Sequence, residues 1–253
     1  MSDTNMTRMT TRVNTTEISP PGVGGDGALG AASAFARQVM AIVAKDLRSE
    51  LRTKQTWSAM ALFALLVLVV FNFAFDLRVE NTAAVAPGVL WVAFVFASIL
   101  GLGRTVAAEH DQGPLDRLLL CPVNRTVVYF AKLIGNVLFI GVVEVVAVPI
   151  FAIIYNVPVA LGGLVPVVVL GTIGVAAVGT LFAAMAANTR ARELLLPVLI
   201  FPLLVPVVIA AVRATSALIV PVARDAPWVG LLAAFDVIFL SISAVAFEYV
   251  VED

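Results

Sequence analysis

The chain has 253 residues, of which 61% are hydrophobic and only 13% charged, with a mean hydropathy of +1.03 and a net charge of −1. Soluble domains carry about 25% charged residues, and residues 81–103 and 145–189 here contain none, so the sequence reads as a polytopic membrane protein. It has no basic block for nucleic acid, no cysteine partner for Cys121, no second histidine beside His110, and no G-x-x-x-x-G-K-[ST] phosphate loop, so nucleotide chemistry must come from another chain.

Residues 1–34 are rich in Thr and Gly, include Pro20 and Pro21, and hold almost no apolar run. Such a segment cannot offset its ordering entropy and is expected to be a disordered tail. It lacks the apolar stretch of a signal peptide. Residues 35–253 are expected to form one transmembrane domain.

From about Phe35 to Lys54 the pattern turns helical. Val39, Val43, Leu47 and Leu51 recur every four residues, Met40 and Ile42 widen the stripe, and Lys45, Arg48 and Arg52 fall on the neighbouring flank. That division predicts an amphipathic helix in the membrane interface, basic edge toward phosphates. The alternative is an ordinary helix packed on a partner.

Six spans follow, at about 57–75, 85–103, 133–155, 164–187, 194–212 and 228–247. The first holds 19 uncharged residues, roughly 28 Å at helical rise and enough for the hydrocarbon core. All must be helices, because lipid offers the backbone no hydrogen-bond partner and a barrel would alternate polar residues. Asn156-Val157-Pro158 and Gly162-Gly163 separate the third from the fourth. Counting Lys and Arg with the N-terminus inside gives eleven on the inner segments, from Arg37 to Arg192, against Arg78, Arg213 and Arg224 outside. Both termini are therefore expected in the cytoplasm.

The inner loop between spans two and three, residues 104–132, is the most informative segment. Pro114 after Gly113 suits a first helical position, Asp116 favours the positive end of a helix dipole, and Pro122 stops the run. A short cytoplasmic helix is expected, carrying Leu115, Arg117, Leu118 and Leu119. Its apolar side lies either against its own membrane face or in a cytoplasmic partner.

Within the spans, Glu144 and Asp236 fall near mid-depth, where a charged acid costs about 2.5–3.5 kcal/mol. With no Lys or Arg at that depth, the expected solution is protonation and a hydrogen bond to another helix; the functional alternatives are a polar path or a contact with a partner helix. Glu193 sits beside Arg190 and Arg192 at the mouth of span five, followed by Pro197, Pro202 and Pro206, which predict a kinked or jointed helix. Span four carries Thr172, Ala176, Thr180 and Ala184 at four-residue steps among Gly171, Gly174 and Gly179. Small residues at that spacing favour close helix packing, within the chain or in a dimer seam. His110 and Cys121 do not form a C-x-x-C-H haem attachment motif and read as loop residues.

The ordered set Lys45-Asp46-Leu47-Arg48-Ser49-Glu50-Leu51-Arg52, Pro87-Gly88-Val89-Leu90-Trp91-Val92, the loop from Glu109 to Pro122, Arg192-Glu193-Leu194-Leu195-Leu196-Pro197 and Ala234-Phe235-Asp236 resembles the haem exporter protein B, or CcmB, family. These are permease subunits of the cytochrome c maturation ABC transporter, and the likeness covers about residues 37 to 250. In that family the loop after span two carries Phe, two acidic residues and Gly-x-Leu, which engage the ATPase. Glu109, Gly113 and Leu115 match; Val106 stands where the aromatic is expected and Gln112 where the second acid is expected, with Asp111 beside it to supply the charge. The resemblance thus implies ATPase coupling through Glu109, Asp111, Gly113, Leu115, Asp116 and Arg117, with Arg192 and Glu193 at the cytoplasmic mouth.

The expected fold is all-α and ABC-2-like: six transmembrane helices, an N-terminal interfacial helix and a cytoplasmic coupling helix in the bacterial inner membrane. The resemblance implies a homodimer working with an ABC ATPase, a haem-handling membrane subunit, a small membrane subunit and, indirectly, a haem chaperone. No cofactor is bound directly, ATP and haem being handled by the partners, and the chain is not itself an enzyme. The rival readings are an exporter of lipid, polysaccharide or drug, and a non-transport scaffold.

Overall fold

A computed structural model describes residues 26–76, 82–112, 125–157, 161–187, 192–219 and 227–250. They form seven helices: α1 (Asp26–Thr53), α2 (Gln55–Asp76), α3 (Thr82–Gln112), α4 (Arg125–Ile154), α5 (Leu161–Ala187), α6 (Arg192–Ile219) and α7 (Trp228–Val250). Helices α2 to α7 supply six segments long and apolar enough to cross a membrane. The chain is an all-α, multi-pass membrane protein. Several boundaries move relative to the sequence pattern, α3 running on to Gln112 and α6 to Ile219, past the expected ends at 103 and 212. Helix α1 opens at Asp26, ahead of Phe35, and α4 opens at Arg125 rather than Leu133, because Lys132 finds an acid on α1 and can sit inside the helix. The remainder of the expected tail, residues 1–25, lies outside the described residues.

The spans alternate in direction. Arg104, late in α3, donates to the carbonyl of Gln55 at the start of α2 (3.4 Å), and Gly163 at the start of α5 abuts Leu218 at the end of α6. One end of the bundle therefore gathers α1, the starts of α2, α4 and α6, and the ends of α3, α5 and α7.

Helices α3 and α5 form the centre, with 72% and 67% of their most apolar windows buried, against 17–33% for the other four spans. Glycine makes the central packing close. The ring of Trp91 on α3 occupies the space where a side chain on Gly171 of α5 would project, and Leu102 does the same at Gly179. The Trp91 indole N–H donates to the hydroxyl of Thr215 on α6 (2.9 Å), which ties a third helix to this joint. The small-residue stripe of span four thus packs within the chain. The outer faces carry Leu62, Phe73, Val145, Ile153 and Val237, all well exposed. Contiguous exposed apolar surface on every outer helix suits lipid and not water.

Among the described residues, two non-glycine residues take the left-handed conformation, Lys54 (φ 55°) and Asn156 (φ 47°). Asn156 ends α4 where the sequence signals a break, and asparagine tolerates this geometry. Nearby, the Tyr155 hydroxyl donates to the carbonyl of Leu68 (3.0 Å), fastening the end of α4 to α2. Lys54 makes the elbow between α1 and α2. Its N–H bonds the Glu50 carbonyl (2.7 Å), while the Glu50 carboxylate accepts from the N–H of Thr56 (2.9 Å) and caps α2.

Candidate functional site

The two intramembrane acids, Glu144 and Asp236, lie on opposite flanks of α5. On the α4 flank, polar side chains form two rungs. Asn136 donates its amide to the hydroxyl of Thr180 (2.9 Å), and the hydroxyl of Thr172 lies 2.6 and 2.7 Å from the two carboxyl oxygens of Glu144. The Thr172 hydroxyl also donates to the carbonyl of Val168, one turn back (2.8 Å). A hydroxyl has one proton. Both contacts are satisfied together when Glu144 carries its own proton and donates to the Thr172 oxygen while Thr172 donates to Val168. Glu144 is thus an interhelical hydrogen-bonder.

A lateral cavity of about 300 Å³ opens between α4 and α5 over Glu144. Its walls are Gly141, Val145, Val148 and Pro149 from α4 and Leu164, Val165, Val168 and Val169 from α5. The lining is apolar apart from the Glu144 carboxyl. None of these side chains is a His, Cys, Met or Tyr, the residues that ligate haem iron. Among the described residues, no three of His, Cys, Asp and Glu gather into a metal-binding group.

Asp236 of α7 sits on the opposite flank of α5, facing Gly174 and Val207 of α6. It is 4% exposed, and both carboxyl oxygens are buried without a hydrogen-bond partner among the described residues. The expected bond to another helix is absent here for a physical reason. At this level α5 presents a bare Cα and α6 a valine side chain, neither of which can hydrogen-bond a carboxyl. Glu144 and Asp236 therefore do not share a site.

At the α1 end, part of the apolar stripe of the first helix is covered by α4, while Met40 faces outward. Val39, Ile42 and Val43 pack with Val127 and Ala131, and Phe35 meets Phe130 edge-on at 6.1 Å. Lys132 reaches Asp46 at 3.0 Å, and Lys45 lies 3.4 Å from the same carboxylate. An amphipathic pattern alone cannot tell lipid from protein as the cover, which is why the sequence left both open.

Of the expected coupling residues, Glu109 and Asp111 lie in the last turns of α3, with side chains outside the described set. Gly113, Leu115, Asp116 and Arg117, and with them the expected coupling helix, lie outside the described residues. Arg192 and Glu193 open α6, again with side chains outside the description. The packing of Leu196 near Gly103 (3.9 Å to a side chain added there) brings the start of α6 to the closing turns of α3. The end of α3, the start of α4, the opening of α6 and α1 accordingly share one end of the bundle. The rungs and the Trp91–Thr215 tie were not singled out from the sequence. Their signal was present as polar residues inside apolar spans, but pairing them required the helix register.

The chain matches the CcmB protein family over residues 37–252. It is 31% identical over 208 residues to heme exporter protein B of Bradyrhizobium diazoefficiens, covering 81% of this chain and 93% of that relative. The proteins of the same name from Rhodobacter capsulatus and Pseudomonas aeruginosa are 31% and 26% identical, over 67% and 70% of this chain and 78% and 79% of theirs. The match runs from within α1 past the end of α7 and so takes in all six spans. By that extent, the chain belongs to the CcmB family.

Proposed function

We propose that the chain is the membrane-embedded permease subunit of an ABC complex serving cytochrome c maturation in the bacterial inner membrane. The observation that carries the reading is the unbroken family match over residues 37–252 to proteins named heme exporter protein B. The Lys and Arg distribution supports cytoplasmic termini, which puts the shared end of α1, α3, α4 and α6 where an ATPase could dock. There Glu109, Asp111, Gly113, Leu115, Asp116 and Arg117 receive the power stroke, and Arg192 and Glu193 stand beside them.

In this reading the chain transmits motion and does not ligate haem. A pair of such chains, two ATPase subunits, a haem-handling membrane subunit and a small membrane subunit form the complex. ATP hydrolysis in the partner drives release of the haem-loaded chaperone.

The test is purification of the tagged full chain from its host in mild detergent, with mass spectrometry of what accompanies it. An ATPase together with a haem-handling membrane protein is the expected result. Glu109→Ala with Gly113→Ala should then leave the complex assembled while abolishing coupled hydrolysis. An ATPase alone, stimulated by a lipid or drug, would favour a general exporter. Recovery with no ATPase would sink the reading.

A further inference from the structure

The charges of α1 are sorted by face. At about 100° per residue, Arg37, Lys45 and Arg48 occupy one sector about 80° wide, and all three are exposed. Position 52, also an arginine, falls in the same sector. Two of the helix's acids point the other way: Asp46 meets Lys132 of α4, and Glu50 caps α2; Asp26, the first residue of α1, lies about three turns before Arg37. Val39, Ile42 and Val43 hold that inward face against the opening turns of α4. Beside the basic sector, Met40 projects outward at 61% exposure.

We infer that the outward face of α1 is a docking surface for anionic phospholipid headgroups. Two observations choose lipid over an acidic protein. The helix is clamped to the first turns of a membrane-spanning helix, the level at which headgroups lie. The large apolar side chain next to the basic stripe fits the acyl boundary beneath a headgroup, as in other interfacial amphipathic helices. The Asp46–Lys132 pair and the Glu50 cap turn these two acids inward, and although Asp46 also lies 3.4 Å from Lys45, the face keeps a net positive charge. Anionic headgroups thereby hold α1 against the bundle end from outside while α4 holds it from inside.

The experiment uses the full chain purified in mild detergent with added phosphatidylglycerol or phosphatidylcholine, and counts lipid retained per chain after washing. The wild type should retain phosphatidylglycerol preferentially and lose that preference in high salt, as exposed charges are screened. Each of Lys45→Gln and Arg48→Gln should cut the retained phosphatidylglycerol by up to about fivefold, and Arg37→Gln/Lys45→Gln/Arg48→Gln should remove the preference. Arg213→Gln, on an exposed arginine of α6 near the other end, should change nothing, and Arg37→Lys/Arg48→Lys should keep the preference because the charge is kept. The inference is overturned if the single and triple variants retain phosphatidylglycerol like the wild type or if salt has no effect. It is equally overturned if the triple variant keeps its lipid but releases a bound protein.

Discussion

Glu144 and Thr172 face each other across α4 and α5 at 2.6 Å, and the register that pairs them also pairs Asn136 with Thr180. Eight residues separate the two positions on each helix, two turns or about 12 Å. Two polar rungs at equal spacing on antiparallel helices fix both the sliding and the rotation of one helix on the other. A slip by one residue would unpair both and leave four polar groups in an apolar interior.

Removing one side of a rung should therefore cost more than removing both. Thr172→Val strands the Glu144 carboxyl, and an unsatisfied buried polar group costs about 1–3 kcal/mol. Glu144→Gln keeps a donor opposite Thr172 and should melt close to the wild type. Pairing Thr172→Val with Glu144→Leu should recover part of the loss, with a coupling energy of about 0.6–1.7 kcal/mol as for other interhelical bonds in membranes. Thermal unfolding in detergent across this cycle measures it; additive losses would mean the contact contributes nothing.

Glycines in this bundle should separate into two groups on substitution by alanine. At Gly171 a methyl would enter the Trp91 ring, and a ring held by its bond to Thr215 cannot move aside cheaply. Overpacking of this kind costs about 1–3 kcal/mol, so Gly171→Ala should lower the melting temperature. At Gly141 a methyl meets nothing within 4 Å. There alanine gains helix propensity of about 0.5–1 kcal/mol, and Gly141→Ala should be neutral or stabilising. Equal melting temperatures for the two variants would contradict the close approach of α3 to α5.

Much of this architecture was legible from the residue order because the bilayer restricts the choices. Apolar runs of sufficient length must be helices, and the six spans appear within a few residues of where hydropathy put them, except where Lys132 extends α4 by finding Asp46 and where the fifth span runs past Arg213 to Ile219. What pairs with what was not legible. Thr172 stood out as a small residue in a packing stripe, yet its partner Glu144 could be assigned only once α4 and α5 were set in register. Asp236 looked equivalent to Glu144 by depth and chemistry. The difference is the opposing residue, a threonine for one and a glycine for the other. The coupling loop is the reverse case: its proline, glycine and acid signals are plain in the sequence, while its geometry lies outside the described residues.

Lys54 offers a test of backbone cost at the α1–α2 elbow. A non-glycine residue in the left-handed region is disfavoured by about 1–2 kcal/mol, and here the Glu50 carbonyl and the Thr56 cap hold it in place. Lys54→Gly removes the Cβ penalty but gains unfolded-state entropy, so a net stabilisation of up to about 1 kcal/mol is expected. Lys54→Val, β-branched, should destabilise. Melting curves that ranked valine above glycine would show that the elbow is not set by this conformation.

Asp236 gives the sharpest separation of stability from activity. Its two oxygens are buried against Gly174 and Val207 with no partner among the described residues, so the group opposes folding. Replacement by an apolar residue of similar size removes the desolvation penalty, about 1–3 kcal/mol. Asp236→Leu should therefore raise the melting temperature, whereas Asp236→Asn, still polar and still without a partner, should leave it nearly unchanged. A fall for leucine would mean that the carboxyl is bonded in the folded protein after all. The companion readout is cytochrome c assembly in cells at matched protein levels. Full activity in the stabilised leucine variant would assign Asp236 no role in the working cycle. Lost activity in a more stable protein would mean that a carboxyl at this three-helix junction is needed in a step other than holding the bundle together.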